Sequence, residues 1–295
     1  MNWNTLLIDE SRLERLIRLA IEEDVGMAGD ITSRLLPSVG SCRARLVVKH
    51  DGIVAGLMLV EKILKCFNSS LRVESVIRDG QNVRSGETIG VIAGDGSSIL
   101  TCERTLLNFL QRLSGIATLT QQFVEAAKGT SAEIYDTRKT TPGWRDLEKY
   151  AVRCGGGRNH RHGLHDAILV KDNHLSQVPT NQIADWAQQC IDRIPTLGIQ
   201  PEFVEFEVDT LDQMEQLLAV RGIDIILLDN FTIPDLLKAV ALRNRLGLKS
   251  RIALEASGGV TLETVHAIAE TGMDRISVGA LTHSAVALDI SMEMQ

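Results

Sequence analysis

The sequence predicts an α/β protein: a mixed α+β domain followed by a βα barrel that is incomplete or open. Three observations lead there. From about residue 130, short apolar segments recur with helical patterns between them, and strands alternating with helices imply parallel pairing through right-handed crossovers. Before residue 110 strands and helices follow no such rhythm. A length of 295 residues accommodates one large or two ordinary domains.

In chain order, Leu13, Leu16, Ile17, Ala20 and Ile21 recur at helical spacing and predict an amphipathic helix over 9–23, capped by Asp9 or Ser11. GDITSRLLP reads as a polar loop ended by Pro37. RARLVVKH at 43–50 alternates like a half-buried strand. GLMLVEKILKCF is helical in pattern, and 71–77 and 88–93 read as strands separated by DG and SG turns. Thr101 is placed to cap a helix carrying Leu106, Leu107, Phe109, Leu110 and Leu113, which Gly115 is expected to break before a second run to Ala127. Strands are then expected at 133–136, 167–170, 203–208, 223–228, 251–254 and 274–278. Six βα units suggest the barrel. The doubly wound alternative lacks a GxGxxG after the first of these strands.

Composition narrows the task. With 44% hydrophobic and 23% charged residues the chain has globular character, and its net charge of −7 argues against non-specific nucleic-acid binding. Five scattered cysteines without a CxxC pair suggest neither a disulfide framework nor a zinc site, and fit a reducing compartment. No basic-then-apolar leader pattern opens the chain and no apolar run approaches membrane-spanning length. The expectation is a cytoplasmic protein without nucleic-acid or membrane partners.

Inside this acidic chain, residues 136–174 are basic. They hold Arg138, Lys139, Arg145, Lys149, Arg153, Arg158, Arg161 and Lys171 against five acidic residues, with His160, His162, His165 and His174. Clustered cations beside Gly155-Gly156-Gly157 suit a polyanionic small molecule, gripped by charge-assisted hydrogen bonds. A solvated basic face is the plainer alternative. Barrel enzymes place their sites at the C-terminal strand ends. There the sequence delivers Arg138 and Lys139, Lys171, Glu207, Asp229 with Asn230, Glu255 with Ser257-Gly258-Gly259, and Gly279.

Glu205, Glu207 and Asp209 alternate onto one strand face. Carboxylates facing a barrel interior need partners. Rim lysines and arginines can supply them, or Mg²⁺ can join Glu207 and Asp229 to a phosphate substrate; internal salt bridges alone are the alternative. SGG at 257–259, before a helix expected to open at Thr261, resembles a phosphate cradle, and VGAL at 278–281 repeats the arrangement. The spacing His160-x-His162-x-x-His165 invites a metal, but the interleaved Arg158 and Arg161 would repel a cation. His160 is the candidate among them for touching substrate. No GxSxG is present, Cys154 is expected to pack rather than react, and Trp144 is a loop contact or a lid residue.

DTRKTTPG, EKYAVRCGGGRNHR, KDNH, EVD, LLDNF, EASGG and SVGALTHS, in this order, resemble the quinolinate phosphoribosyltransferase family. The resemblance runs from ERTLLNFLQRLSGIA to ALDISM, and more loosely over EEDVG and DITSRLLP. It implies an amino-terminal α/β sandwich (1–113), an incomplete barrel (114–280), and a segment 281–295 returning to the first domain. It implies a homodimer that transfers the phosphoribosyl group of phosphoribosyl pyrophosphate (PRPP) to quinolinate with Mg²⁺, giving nicotinate mononucleotide, pyrophosphate and CO₂. Carried onto matching positions, Arg138, His160, Arg161 and Lys171 would surround the quinolinate carboxylates, joined by Arg104 from the partner subunit. Lys139, Glu207, Asp229, Ser257, Gly258, Gly279 and His283 would handle PRPP, with Glu207 and Asp229 on Mg²⁺ and Lys139, Lys171, Glu207 and Asp229 carrying catalysis. Trp144, His162 and His165 depart from the pattern expected in many members. A molybdenum-transport-associated relative and a non-catalytic anion-binding protein are the alternatives.

Overall fold

The computed structural model describes residues 8–35, 37 and 40–295. Leu36, inside DITSRLLP, lies outside them, as do residues 1–7. The chain forms two compact units. One is the chain up to Gln121 with Thr140–Gly156 and Leu281–Gln295; the other is Gln122–Lys139 with Gly157–Ala280.

The first unit opens with α1 (Glu10–Val25), whose Asp9 carboxylate accepts from the amides of Ser11 and Arg12 and so closes two otherwise orphaned donors. Leu13 and Ile17 are its buried stripe. The expected polar loop instead contains α2 (Ile31–Leu35). Asp30 accepts from the amides of Thr32 and Ser33 and nucleates that turn, a cap hidden among loop-like residues. After β1 (Ser41–Val48) and β2 (Gly52–Ile53) comes α3 (Leu57–Phe67), followed by β3 (Arg72–Ser75), β4 (Asn82–Val83) and β5 (Thr88–Asp95). The C-terminal β12 (Ile290–Met294) pairs antiparallel with β1, giving a four-stranded sheet in the order β12-β1-β5-β3. Arg45 and Lys49 both reach Glu293 across this edge.

The helix expected to break at Gly115 is continuous. It forms α4 (Gly96–Ala126), 31 residues long. A Cβ at Gly115 would lie 2.1 Å from the Val286 carbonyl oxygen, so the glycine is there for close approach of a neighbouring strand of chain, not for termination. Thr101 sits inside the helix and donates back to the Ser97 carbonyl. The stretch 140–156 supplies α5 (Arg145–Cys154), with Trp144 stacked on Phe109 at 4.6 Å between ring centroids. Glu148, fully buried, pairs with Arg112 at 2.7 Å and accepts from the Thr141 amide and hydroxyl. The triple glycine belongs to the exit from α5. A Cβ at Gly155 would stand 2.3 Å from the Ala117 carbonyl oxygen, and Gly156 takes a φ of +88°.

The second unit carries β6 (Glu133–Tyr135), β7 (Ile168–Val170), β8 (Val204–Val208), β9 (Ile225–Asp229), β10 (Ala253–Ser257) and β11 (Arg275–Ser277). They form one parallel sheet in the order β6-β11-β10-β9-β8-β7. Strands β6 and β7 do not pair with each other, so the barrel is open, as expected. Helices α6 (Asp172–Leu175), α7 (Ile183–Asp192), α8 (Leu211–Leu218), α9 (Ile233–Arg245) and α10 (Val265–Glu270) lie between the strands, and α11 (Ala280–His283) follows β11. Strand β8 is buried along its whole length, which is the pattern of a parallel strand covered on both faces. No helix among the described residues is long and apolar enough to cross a membrane.

Candidate active site

All six strands of the parallel sheet bring candidate site residues to one end. Arg138 and Lys139 follow β6, Lys171 follows β7, and Glu207 and Asp229 lie in the last turns of β8 and β9. Ser257 closes β10 and is in register with Asp229. Gly279 follows β11. The alternation of a strand sets which residues share a face, and carboxyl ends of parallel strands converge where the sheet curls.

The basic stretch 136–174 is divided by the fold. Lys149 is buried on α5, and Arg158 pairs with Glu133 at 2.8 Å on an exposed edge. Arg138, Lys139, Arg161 and Lys171 are the cations that the second unit brings together. Arg161 is buried, with Nη1 donating to the Ala167 carbonyl at 3.3 Å. Burial, and then the adjacent Arg138 guanidinium, hold the Arg161 pKa below the usual arginine value, against the pull of Glu205, Asp166 and Glu207. The Nε of Arg138 is itself buried without a hydrogen-bond partner. An anion placed between the two guanidinium groups would offset their repulsion.

Beside them stand carboxylates. Lys171 Nζ lies 3.7 Å from Glu207 Oε2. Burial pushes the Glu207 carboxyl above the ordinary range; Lys171 pulls it down, and the charges of Asp229, Asp172 and Asp209 push it up. Burial and then Asp209 raise Asp229 in the same way, with Lys139 opposing. Carboxylates that repel one another gain from a divalent cation. One or two of them with water and substrate phosphates is the usual Mg²⁺ donor set, so Glu207 and Asp229 fit that ion.

The turn after β9 and the turn after β10 are built as a pair. Asn230 adopts a left-handed φ of +56°, and its amide donates to the Ser257 carbonyl at 2.9 Å. Gly258 has a φ of +95°, and a Cβ there would meet Asn230 Oδ1 at 2.2 Å. The helix expected to open at Thr261 begins later, at Val265, because Thr261–Thr264 close a turn in which Thr264 Oγ1 accepts from the Thr261 amide. Any anion at this turn therefore meets glycine backbone rather than a helix end.

His160 stands apart from His162 and His165 in being buried, and its ring belongs to a cluster with Glu205 and Glu255. Burial by itself would lower the imidazole pKa, but the two carboxylates outweigh burial and push it up to about 9. The Arg161 amide, donating to Nδ1 at 2.7 Å, favours the neutral ring and pulls against that rise. Glu255, expected at the rim, is fully buried because β10 continues past it to Ser257. Asp136 and Arg275 went unmarked in the sequence. Asp136 accepts from the His160 amide at 2.8 Å and from Asn159 Nδ2 at 2.6 Å. The signal available for both was a charge beside or within an apolar strand segment.

Arg104 and His283 belong to the first unit. Arg104 projects from α4 with its side chain 60% exposed and Glu103 at 4.0 Å. His283 ends α11, its Nδ1 2.7 Å from the Ser284 hydroxyl. Cys154 is a buried thiol with its pKa pushed up to about 12 by burial, and it packs.

Comparison with known proteins agrees with this arrangement. Residues 30–114 match the N-terminal domain of quinolinate phosphoribosyl transferase, and 116–293 match its C-terminal domain. The chain is 41% identical to a chloroplastic carboxylating nicotinate-nucleotide pyrophosphorylase of Arabidopsis thaliana, over 96% of this chain and 82% of that protein. It is 39% identical to a probable carboxylating nicotinate-nucleotide pyrophosphorylase of Bacillus subtilis, over 96% and 93%. The solved nicotinate-nucleotide pyrophosphorylase of Francisella tularensis superposes with a TM-score of 0.87 at 37% identity, covering 97% of this chain and 96% of that one. The chain belongs to the quinolinate phosphoribosyl transferase family.

Proposed function

We propose that the protein is a carboxylating nicotinate-nucleotide pyrophosphorylase. It transfers the phosphoribosyl group of PRPP to quinolinate and releases CO₂, a step of de novo NAD biosynthesis. The observation that carries this reading is the crowded Arg138–Arg161 pair, with the orphaned Arg138 Nε, on the same rim as Lys139, Glu207 and Asp229. One side of the rim suits an aromatic dicarboxylate and the other a metal-bound polyphosphate.

In this reading Arg138, His160, Arg161 and Lys171 hold quinolinate, and Arg104 of the partner subunit joins them in a homodimer. Lys139, Glu207, Asp229, Ser257, Gly258, Gly279 and His283 serve PRPP. The quinolinate ring nitrogen attacks the ribose anomeric carbon as the bond to pyrophosphate breaks and its electrons leave with the pyrophosphate oxygen. Glu207 and Asp229 face the positive charge that develops on the ribose, and Lys139 draws the leaving group. Bound Mg²⁺ would take up further pyrophosphate charge. When the neighbouring carboxylate leaves as CO₂ the electron pair of the broken bond stays on the ring carbon, stabilised by the adjacent cationic nitrogen, and there takes up a solvent proton. No side-chain nucleophile is required, in keeping with the inert Cys154. The free cysteines fit a reducing compartment such as the cytoplasm.

The test is product formation. With quinolinate, PRPP and Mg²⁺ the protein should yield nicotinate mononucleotide, pyrophosphate and CO₂ in equal amounts. Absence of nicotinate mononucleotide from correctly folded protein overturns the reading.

A further inference from the structure

Around His160 the second unit holds a buried ionic cluster whose carboxylates and arginine, Glu205, Glu255 and Arg275, have no role in the proposed reaction. His160 Nε2 lies 2.9 Å from Glu205 Oε2 and 3.3 Å from Glu255 Oε1. Arg275 Nε stands 2.6 Å from Glu255 Oε2 as an ion pair, and its guanidinium lies 3.8 Å from the centre of the Tyr135 ring. The Ser277 hydroxyl donates to Glu255 Oε1. Glu205 and Glu255 are both fully buried.

The three ligand atoms of His160, Glu205 and Glu255 fall within 4.8 Å of one another, close enough for a metal ion. Two features speak for a different use. With Nδ1 accepting the Arg161 amide, the ring carries its proton on Nε2, aimed into the space a metal would fill. The Arg275 cation is already seated against one carboxylate. The cluster runs cation, carboxylate, imidazole, carboxylate.

Its outlet is the backbone. The ring that the two carboxylates grip at Nε2 grips, at Nδ1, the peptide of Arg161. We propose that Glu205, Glu255 and Arg275 are positioning residues which, through His160, fix the main chain at Arg161 and so aim the guanidinium that meets quinolinate. The inference rests on the quinolinate reading of that guanidinium. Strands β8, β10 and β11 then contribute to substrate geometry from below the rim without touching substrate. Buried ion pairs of this kind specify arrangement more than they add stability.

That distinction supplies the experiment. Removing one partner of a buried ion pair is costly when the other is left unpaired, but Glu205→Leu leaves His160 with Glu255, so the variant should fold while freeing one face of the His160 ring. Arg275→Gln perturbs the opposite end of the cluster and serves if the first variant does not fold. Each folded variant should raise the quinolinate KM about tenfold, the worth of one well-made hydrogen bond. The PRPP KM should move by less than about twofold, as for a distant, independent site. Glu205→Gln, which keeps an acceptor for Nε2–H, should recover most of the quinolinate affinity lost in Glu205→Leu. An unchanged quinolinate KM in both folded variants, or an equal rise for the two substrates, overturns the proposal. Wild-type protein inactive on quinolinate would instead overturn the functional reading, so the two failures are separable.

Discussion

In the proposed function Lys139 and Glu207 belong to the phosphate and metal side of the rim, and Arg138 and Arg161 to the side that meets quinolinate. The division predicts that Lys139→Ala and Glu207→Ala each lower kcat by about 100- to 1,000-fold, the usual loss when one electrostatic partner of the transition state is removed. Quinolinate affinity, measured by calorimetry, should stay largely intact in both. An equal loss of quinolinate binding in the two variants contradicts the division. Arg138, Lys139 and Glu207 were legible in the sequence as charges at the end of an apolar strand segment, and Arg161 as part of the basic stretch 136–174. Arg275 and Asp136 were not, since Arg275 pairs with Glu255 on the neighbouring strand and Asp136 accepts from Asn159 and His160, 23 and 24 positions on, and no local pattern announces either pairing. Glu205 was read on the correct face, but its His160 partner, 45 positions away in sequence, became visible only in the fold.

At the scale of elements, local signals succeeded where burial and periodicity agreed. The six barrel strands appear where short apolar segments were expected, and Asp9 caps α1. They failed where tertiary packing outweighed propensity. A glycine in a helix interior costs roughly 1 kcal/mol against alanine, which is why Gly115 reads as a break. The close approach of Val286 makes the glycine obligatory instead. Gly115→Ala should therefore destabilise the protein by about 1–3 kcal/mol, the common cost of overpacking, despite alanine's better helix propensity. Urea denaturation measures it; an unchanged or increased stability contradicts the packing argument. Gly155, read with its neighbours as part of a stretch that suits an anion, packs against the Ala117 carbonyl, and sequence cannot tell a glycine that faces an anion from one that faces a helix backbone.

At the scale of the whole molecule, the exposed Arg104 in the first unit is the residue whose proposed role needs a second chain. In a two-fold dimer the exchange happens twice, once for each site. Arg104→Ala and Lys139→Ala should each be inactive alone. Mixed with random subunit exchange, half the dimers are heterodimers, each with one intact site, so activity should return to about a quarter of wild type. A mixture that stays inactive although heterodimers form would place Arg104 in its own chain's site.

The central claim is that the Arg138–Arg161 wall, with Lys171, reads two carboxylates rather than one. The direct measurement is kcat/KM for quinolinate and for nicotinate with PRPP, in the same preparation. Nicotinate leaves a charge-assisted partner unmatched, a loss of about 1.5–3 kcal/mol. Quinolinate should accordingly be favoured by at least about tenfold, rising to about 150-fold. Equal efficiency on the two acids would contradict the account, because these three cations would then have no second carboxylate to meet.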